Sequence, residues 1–223
     1  MTFALKGTAQ SDLVNSKYMD VATDNTSNGG FIHKIDNRIA ERIGTPYMND
    51  TYAEGEIWLT QNRHFKAEMT YKFDELEGSV NVKSAVSGKE LLLSPDQITE
   101  CHIVLKNKIV VFKKIEAGHL DNTPLYQVIY EDNDMSMLKL PVKIVRRIDD
   151  KQPYGSGKVY EEYRSDYKYF LRSSKNTKYV EVKLKKLASQ MPKKATIINK
   201  FFEAHPMDKL TDDDLTELMK KIH

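Results

Sequence analysis

The sequence predicts a mostly β protein of the α+β class: a curled antiparallel sheet, or an open barrel or sandwich, followed by a C-terminal helix pair. Two observations support this class. Residues 56–184 contain many short segments in which apolar and polar side chains alternate, with turn residues between them. Residues 185–223 instead carry apolar residues at helical spacing.

The chain of 223 residues fits one large β-rich domain with appendages. Residues 1–30 are polar and turn-rich and predict an N-terminal arm. The small residues that close "FALKGTAQ" suggest the remnant of a signal sequence, and an ordinary disordered start is the alternative. Residues 31–184 predict a short helix and the antiparallel β domain, and residues 185–223 predict a helical segment packed on the sheet.

The predicted short helix spans "FIHKIDNRIAERIG", residues 31–44, where Gly44 suits the position after a last helical turn. Its apolar positions lie at helical spacing: Ile32, Ile35, Ile39 and Ile43. The following "TPYMND" is rich in turn residues. A phosphate loop needs a strand, glycines and a helix in that order. Here a turn leads from helix to strand, so we expect a structural loop that delivers the first strand.

The clearest strand pattern is "HFKAEMTYKFD", which starts at residue 64. Period-two alternation predicts that Phe65, Met69, Tyr71 and Phe73 share one buried face. Plain core packing is the first interpretation of these four residues. The alternative is that they line a cavity for a small apolar ligand, because curled antiparallel sheets can enclose one.

Turn residues predict hairpins further along the chain. "CHIVLKNKIVVFKKI" predicts a hairpin that turns near Asn107, and the segment from 124 to 148 predicts another that turns near Asn133 and Asp134. Asparagine and aspartate tolerate the positive φ that such turns require. Two or three more strands are expected around "SSKNT", residues 173–177.

Cap and charge signals define the C-terminal helices. Pro192 ends a short turn, and an apolar face follows at residues 197, 198, 201 and 202. In "TDDDLTELMKKI", Thr211 is the predicted N-cap, with aspartates in the first turn and lysines in the last. The apolar sides of both helices need a surface to cover, and the sheet is the nearest one.

Composition and charge exclude several functional classes. The net charge of +2 provides no global basic field for nucleic acid. Lysines crowd residues 175–194 near several tyrosines, a pattern that can bind anionic surfaces or single strands. Apolar residues at 180, 182 and 184 alternate with charged ones, which favours a strand with one wet face. No apolar run approaches the roughly 18–20 residues of a transmembrane helix.

The sequence assigns no catalytic, cofactor or metal residue. The six histidines form neither an i,i+4 pair nor an HExxH motif. Ser156 in "YGSGK" is best interpreted as part of a loop, and Cys101 as a small buried hydrophobe. Cys101 and His102 are neighbours on a strand, so they point to opposite faces and cannot act as a nucleophile and its base. These absences favour a non-enzymatic protein.

Five segments of the chain form an ordered set of motifs: "GTPYMNDTYAEGEIWLTQ", "MTYKFDELEG", "LLLSPDQITECHI", "YEEYRSDYKYFLR" and "KKATIINKFFEAHPMDKLTDDDLTELMKKI". Together and in this order they resemble the motifs of uncharacterised exported β-rich proteins of Bacteroidota-type bacteria with a GTPYxN(D/E) opening. The resemblance covers roughly residues 43–223. It implies an exported protein of the periplasm or cell envelope, and it supplies neither an enzyme class nor site residues.

Three functional hypotheses follow. The first is a non-enzymatic envelope protein that binds another envelope protein or a surface component. The second is a carrier of a small apolar ligand in a barrel-like cavity. The third is an enzyme whose residues converge from separate strands.

Overall fold

We describe the protein from a computed structural model that covers residues 39–60, 63–116, 120, 124–149, 159–173 and 176–223. The predicted N-terminal arm and the loop around Ser156 lie outside these residues. The strands are β1 Ile39–Ile43, β2 Ala53–Leu59, β3 His64–Phe73, β4 Val80–Ser84, β5 Glu90–Leu93, β6 Ile98–Leu105, β7 Lys108–Lys114, β8 Leu125–Glu131, β9 Met135–Leu140, β10 Lys143–Asp149, β11 Val159–Ser165, β12 Lys168–Ser173 and β13 Asn176–Val182. The α-helices are α1 Leu187–Gln190, α2 Ala195–Ala204 and α3 Asp212–Ile222.

Ten strands form one antiparallel sheet in the order β13-β12-β9-β8-β7-β6-β2-β3-β4-β5. Strand β6 returns beside β2 after the chain has built β3 to β5 on the other side of β2. Strands β5 and β13 lie at opposite ends of this sheet and do not pair with each other, so the sheet does not close into a barrel. The predicted class, a mostly β fold with a large antiparallel sheet and a C-terminal helix pair, is confirmed.

A second, three-stranded sheet has the order β1-β11-β10, with β1 parallel to β11. The short helix predicted for residues 31–44 is therefore wrong over Ile39–Ile43, and its earlier part lies outside the described residues. An apolar spacing of four, as between Ile39 and Ile43, fits both a helix and one face of a strand. The partner strand β11 decides between them, because it supplies the backbone hydrogen bonds of a sheet.

Both predicted hairpin turns are confirmed. Lys106 and Asn107 join β6 to β7 with φ values of 50° and 62°, which is the left-handed backbone of a two-residue turn. At the turn between β8 and β9, Asp132 Oδ1 accepts hydrogen bonds from the backbone N–H groups of Asp134, at 2.8 Å, and Met135, at 2.7 Å. A side chain that binds the backbone two residues ahead in this way favours a turn.

The core under the first half of the sheet is aromatic and aliphatic. Tyr71 and Phe73 of β3 are fully buried there, as the alternation of this strand predicts. The ring of Phe73 stacks on that of Phe112 with 4.3 Å between centroids. Cys101 of β6 is also fully buried in this cluster, which confirms its interpretation as a small hydrophobe.

The C-terminal helices form a second core with the other half of the sheet. Ile129, Met137 and Val182 contribute from the strands, and the helices contribute Leu187, Ile198, Phe201, Leu215, Leu218, Met219 and Ile222. Each such side chain stabilises the fold by about 1.5–3 kcal/mol when it leaves water. The apolar sides of the helices thus pack on the sheet.

Helix α3 begins as its sequence predicts. Thr211 caps it: the Thr211 hydroxyl accepts the N–H of Asp214 at 3.2 Å, and the Asp214 carboxylate accepts the N–H of Thr211 at 2.8 Å. Asp212 then contacts the sheet, because both its oxygens lie 3.0 Å from Lys139 Nζ. Gln127 Nε2 donates to Asp212 Oδ2 at 2.8 Å. These contacts place the first turn of α3 over β8 and β9.

A buried ion pair holds three separate segments together. Lys143 Nζ, at the start of β10, lies 3.0 Å from Glu75 Oε2, and the two side chains are 12% and 2% exposed. Lys143 Nζ also donates to the backbone carbonyl of Thr45 at 2.9 Å and to that of Tyr47. The pair therefore connects the loop before β2 and the turn after β3 to the start of β10, a strand of the second sheet.

We expect Lys143→Met to lower the free energy of unfolding by about 3–5 kcal/mol, because it leaves the Glu75 carboxylate buried without its cation. Adding Glu75→Leu to this variant should restore much of the loss, because no charge then remains buried. Urea unfolding measures both effects. Lys83→Met breaks the exposed Lys83–Glu90 pair and serves as the control, with the urea midpoint nearly unchanged. Equal losses in Lys143→Met and Lys83→Met would contradict this account.

Burial raises the pKa of the Cys101 thiol to about 12, whereas a cysteine in an unfolded chain has a pKa of about 8.5. We therefore expect the native protein to resist thiol-specific reagents at about pH 8 and the denatured protein to react fully. Stability should also fall as the pH rises from about 8.5 towards 12, because only the unfolded chain releases this proton. Cys101 is the only cysteine, so a colorimetric thiol assay is unambiguous. Fast stoichiometric labelling of the native protein would refute the prediction.

Candidate functional site

An open groove of about 780 Å³ lies between the sheet and the C-terminal helices, and we call it the sheet–helix groove. Strands β9, β12 and β13 form one side, and the segments around α1 and the end of α3 form the other. Its lining consists of Asp134, Met135, Leu171, Ser173, Val180, Val182, Gln190, Met191, Pro192, Lys193, Lys194, Ile222 and His223.

The floor and walls of the groove are apolar. Met135, Val182 and Ile222 are buried at its base, where they join the core under the helices. Leu171 of β12 lies opposite Val180 of β13 in the antiparallel register. The two side chains therefore stand on the same face of the sheet. An apolar ligand could bury its surface against these side chains.

The groove exists because the apolar face of the strands extends beyond the helices. The predicted alternation in β13 is confirmed: Val182 is only 5% exposed, and its neighbours Glu181 and Lys183 are exposed. Val180 continues the same face, yet it is 46% exposed. Pro192 begins a short 3-10 turn, Pro192–Lys194, that separates α1 from α2, so α1 and α2 do not form one continuous helix beside the strands.

The rim of the groove is polar, and part of it is internally paired. Lys194 Nζ donates to the main-chain oxygen of His223 at 3.3 Å. His223 Nε2 lies 3.4 Å from Asp132 Oδ2 and 3.8 Å from Asp134 Oδ2 in the turn between β8 and β9. The hydrogen bond from the Tyr130 hydroxyl, followed by those from the Met135 and Asp134 N–H groups, holds the pKa of Asp132 below its usual value.

The structure places the four ligand-binding residues predicted from the sequence away from this groove. Tyr71 and Phe73 are core residues, and Phe65 and Met69 pack against the same cluster from partly buried positions. Tyr71 also donates its hydroxyl to the backbone carbonyl of Phe65 at 3.1 Å. These contacts give the four residues a packing role, and their part in ligand binding stays a prediction.

Sequence analysis did not identify the groove, although it noted several of its residues. The alternation through Val180 and Val182, the break at Pro192 and the lysines up to Lys194 are all visible in the sequence. The groove also needs Leu171 and Ile222, and their proximity depends on strand register and helix docking. In the sequence, one feature indicates the groove: the period-two pattern of β13 includes more apolar positions than the C-terminal helices cover.

A cluster of aromatic and charged side chains on β2, β3 and β6 is the main alternative site. Trp58 stacks on His64 with 4.4 Å between ring centroids and lies 4.6 Å from His102. Each histidine also contacts a carboxylate: His64 lies 3.1 Å from Glu56, and His102 lies 2.6 Å from Glu100. The residues of the cluster thus pair with one another.

Clusters of possible metal ligands and long apolar helices are the two remaining features of interest. Over the described ranges, no group of three or more His, Cys, Asp and Glu side chains is arranged to hold a metal ion. Within the same part of the chain, no helix has both the length and the apolar character needed to cross a bilayer.

Comparison of the chain with protein-family models, with curated proteins and with solved structures returns no match. The function must therefore be argued from the geometry of the groove.

We expect Tyr130→Phe to raise the pKa of Asp132, because it removes the hydrogen bond that contributes most to lowering that pKa. A carboxylate with a lowered pKa contributes stability above its unfolded pKa, and this is lost as the pH falls through the folded pKa. NMR titration of the Asp132 carboxyl carbon measures the shift. Asp214 is the internal control, because its low pKa depends first on Thr211. Equal movement of both pKa values, or none, would contradict the assignment.

Proposed function

We propose that this protein is a non-catalytic binding protein that holds the apolar part of a small ligand in the sheet–helix groove. The observation that carries the proposal is the groove itself, with its apolar floor and its polar rim at one end of the sheet. The proposal develops the carrier hypothesis, with the site between sheet and helices rather than within a barrel.

The dimensions of the groove support a small ligand. Ligand sites in proteins commonly occupy about 300–1,000 Å³, and the groove measures about 780 Å³. Such sites are mostly apolar with a few polar groups that orient the ligand. The arrangement of Leu171, Val180 and Met191 within a rim of charged side chains has this character.

The polar groups favour holding a ligand over transforming it. His223 contacts Lys194 and the two aspartates of the neighbouring turn, Asp132 and Asp134. Most of the other lining side chains are aliphatic or methionine, and Ser173 and Gln190 are the uncharged polar ones. General acid–base catalysis needs a titratable group within hydrogen-bond reach of the reacting atom. A ligand buried among Met135, Val182 and Ile222 would have its apolar part away from the rim groups.

The exported, envelope-associated location is part of this proposal and rests on the sequence resemblance alone. Recognition of another envelope protein, the first functional hypothesis, is the one to test next if the groove takes up no ligand.

The test uses N-phenylnaphthylamine, a neutral dye whose fluorescence rises in apolar surroundings. We expect saturable binding with one dye per chain. Val180→Trp enlarges a half-exposed side chain in the groove wall and should weaken dye binding about tenfold, a change of ~1.4 kcal/mol. The matched control is Val104→Trp on β6, because Val104 is 37% exposed and lies outside the groove. It should bind the dye like the unaltered protein.

Thermal unfolding of both variants shows whether the substitutions disturb the fold. Equal dye binding by Val180→Trp and the unaltered protein would refute ligand binding in the groove. Absence of saturable dye binding to the unaltered protein would refute it as well.

A further inference from the structure

The sheet–helix groove is basic where the chain passes from α1 into α2. Lys193 and Lys194 follow Pro192 directly and both line the groove. Lys193 is exposed and Lys194 is half-buried. The bond from Lys194 Nζ to the main-chain oxygen of His223 uses one of the three N–H donors of the Lys194 ammonium group.

The surrounding chain strengthens this positive potential. Residues 176–200 contain seven lysines and one acidic residue, Glu181, although the whole chain carries a net charge of only +2. Helix α2 starts beside Lys194 with no acidic residue in its first turn, whereas α3 starts with three aspartates. The positive end of the α2 dipole is therefore not offset by its own side chains.

The acidic side chain that lines the groove is largely solvated. Asp134 is 66% exposed, and its Oδ2 atom lies 3.8 Å from His223 Nε2. Solvent and salt screen an exposed carboxylate, so Asp134 offsets little of the charge of the two lysines. A ligand that enters the groove meets an apolar interior and two ammonium groups at its edge.

We propose that the ligand is an amphiphile with one apolar chain and an acidic head group, which Lys193 and Lys194 bind while the chain lies in the groove. This inference rests on the binding function proposed above. An acidic head pairs with the lysines at the rim and keeps its solvation there. A cationic head is repelled, and a neutral head gains only the burial of its chain.

The test compares three probes with the same chain, each below its micelle concentration: dodecanoate, dodecanol and dodecyltrimethylammonium. Isothermal titration calorimetry should show dodecanoate binding about tenfold more tightly than dodecanol, which corresponds to ~1.4 kcal/mol. The cationic probe should bind more weakly than the alcohol. Added salt should reduce the preference for dodecanoate, because the lysines lie near solvent.

Charge variants locate the effect. Lys193→Glu with Lys194→Glu should remove the preference for dodecanoate and keep dodecanol binding. The control, Lys185→Glu with Lys186→Glu, makes the same change of charge on a neighbouring turn whose side chains are exposed and do not line the groove. It should keep most of the preference. Lys193→Gln with Lys194→Gln adds no acid and should make dodecanoate and dodecanol bind alike.

The outcomes separate this inference from the function on which it rests. Equal binding of all three probes, or preference for the cation, would refute the inference that the ligand has an acidic head group. Ligand binding in the groove would still stand. Equal loss in the two glutamate variants would also overturn it, because the attraction would then come from the basic surface in general. Absence of binding by every probe would refute the proposed function itself.

Discussion

Helices α2 and α3 bury their apolar sides against β8, β9 and β13, and the second half of the molecule depends on this contact. With ten and eleven residues, both helices are shorter than the roughly 12–15 residues at which an isolated helix becomes marginally stable in water. The sheet in turn needs a cover for its apolar face. The Lys139–Asp212 pair adds direction to this otherwise non-directional burial, because it places the first turn of α3 over β9.

The groove is a consequence of how this cover ends. The apolar face of β12 and β13 continues through Leu171 and Val180. The helical segment is interrupted at Pro192, and the helices lie over Met137 and Val182 instead. The apolar face of the strands thus extends a few residues further than the helices that cover it, and this part stays open to solvent. Exposed apolar surface with a polar rim is the usual mark of a binding site. The same interruption places Lys193 and Lys194 at the edge of the groove. The segment after Pro192 therefore affects both the shape and the charge of the groove.

Apolar side chains form the core in one half of the sheet and line the groove in the other half. Phe65, Met69, Tyr71 and Phe73 have the aromatic and sulfur-containing side chains that suit a ligand cavity, and they pack instead on Phe112 and its neighbours. The two halves of the sheet differ in the elements that cover their apolar faces. The first half of the sheet covers its apolar residues with other strands and their side chains, whereas the second half relies on helices that cover only part of it.

Periodicity and local turn chemistry were enough to predict β3, the turns at Asn107 and Asn133, and the Thr211 cap, because each depends on residues close together in the chain. They were not enough for Ile39–Ile43, where an apolar spacing of four fits two structures and the distant strand β11 decides. The groove is the strongest example of this limit. Its residues come from β9, β12, β13 and the C-terminal helices, and only strand register and helix docking bring them together. Alternation along a strand shows which face is apolar; what covers that face, and where the cover stops, is a property of the tertiary structure.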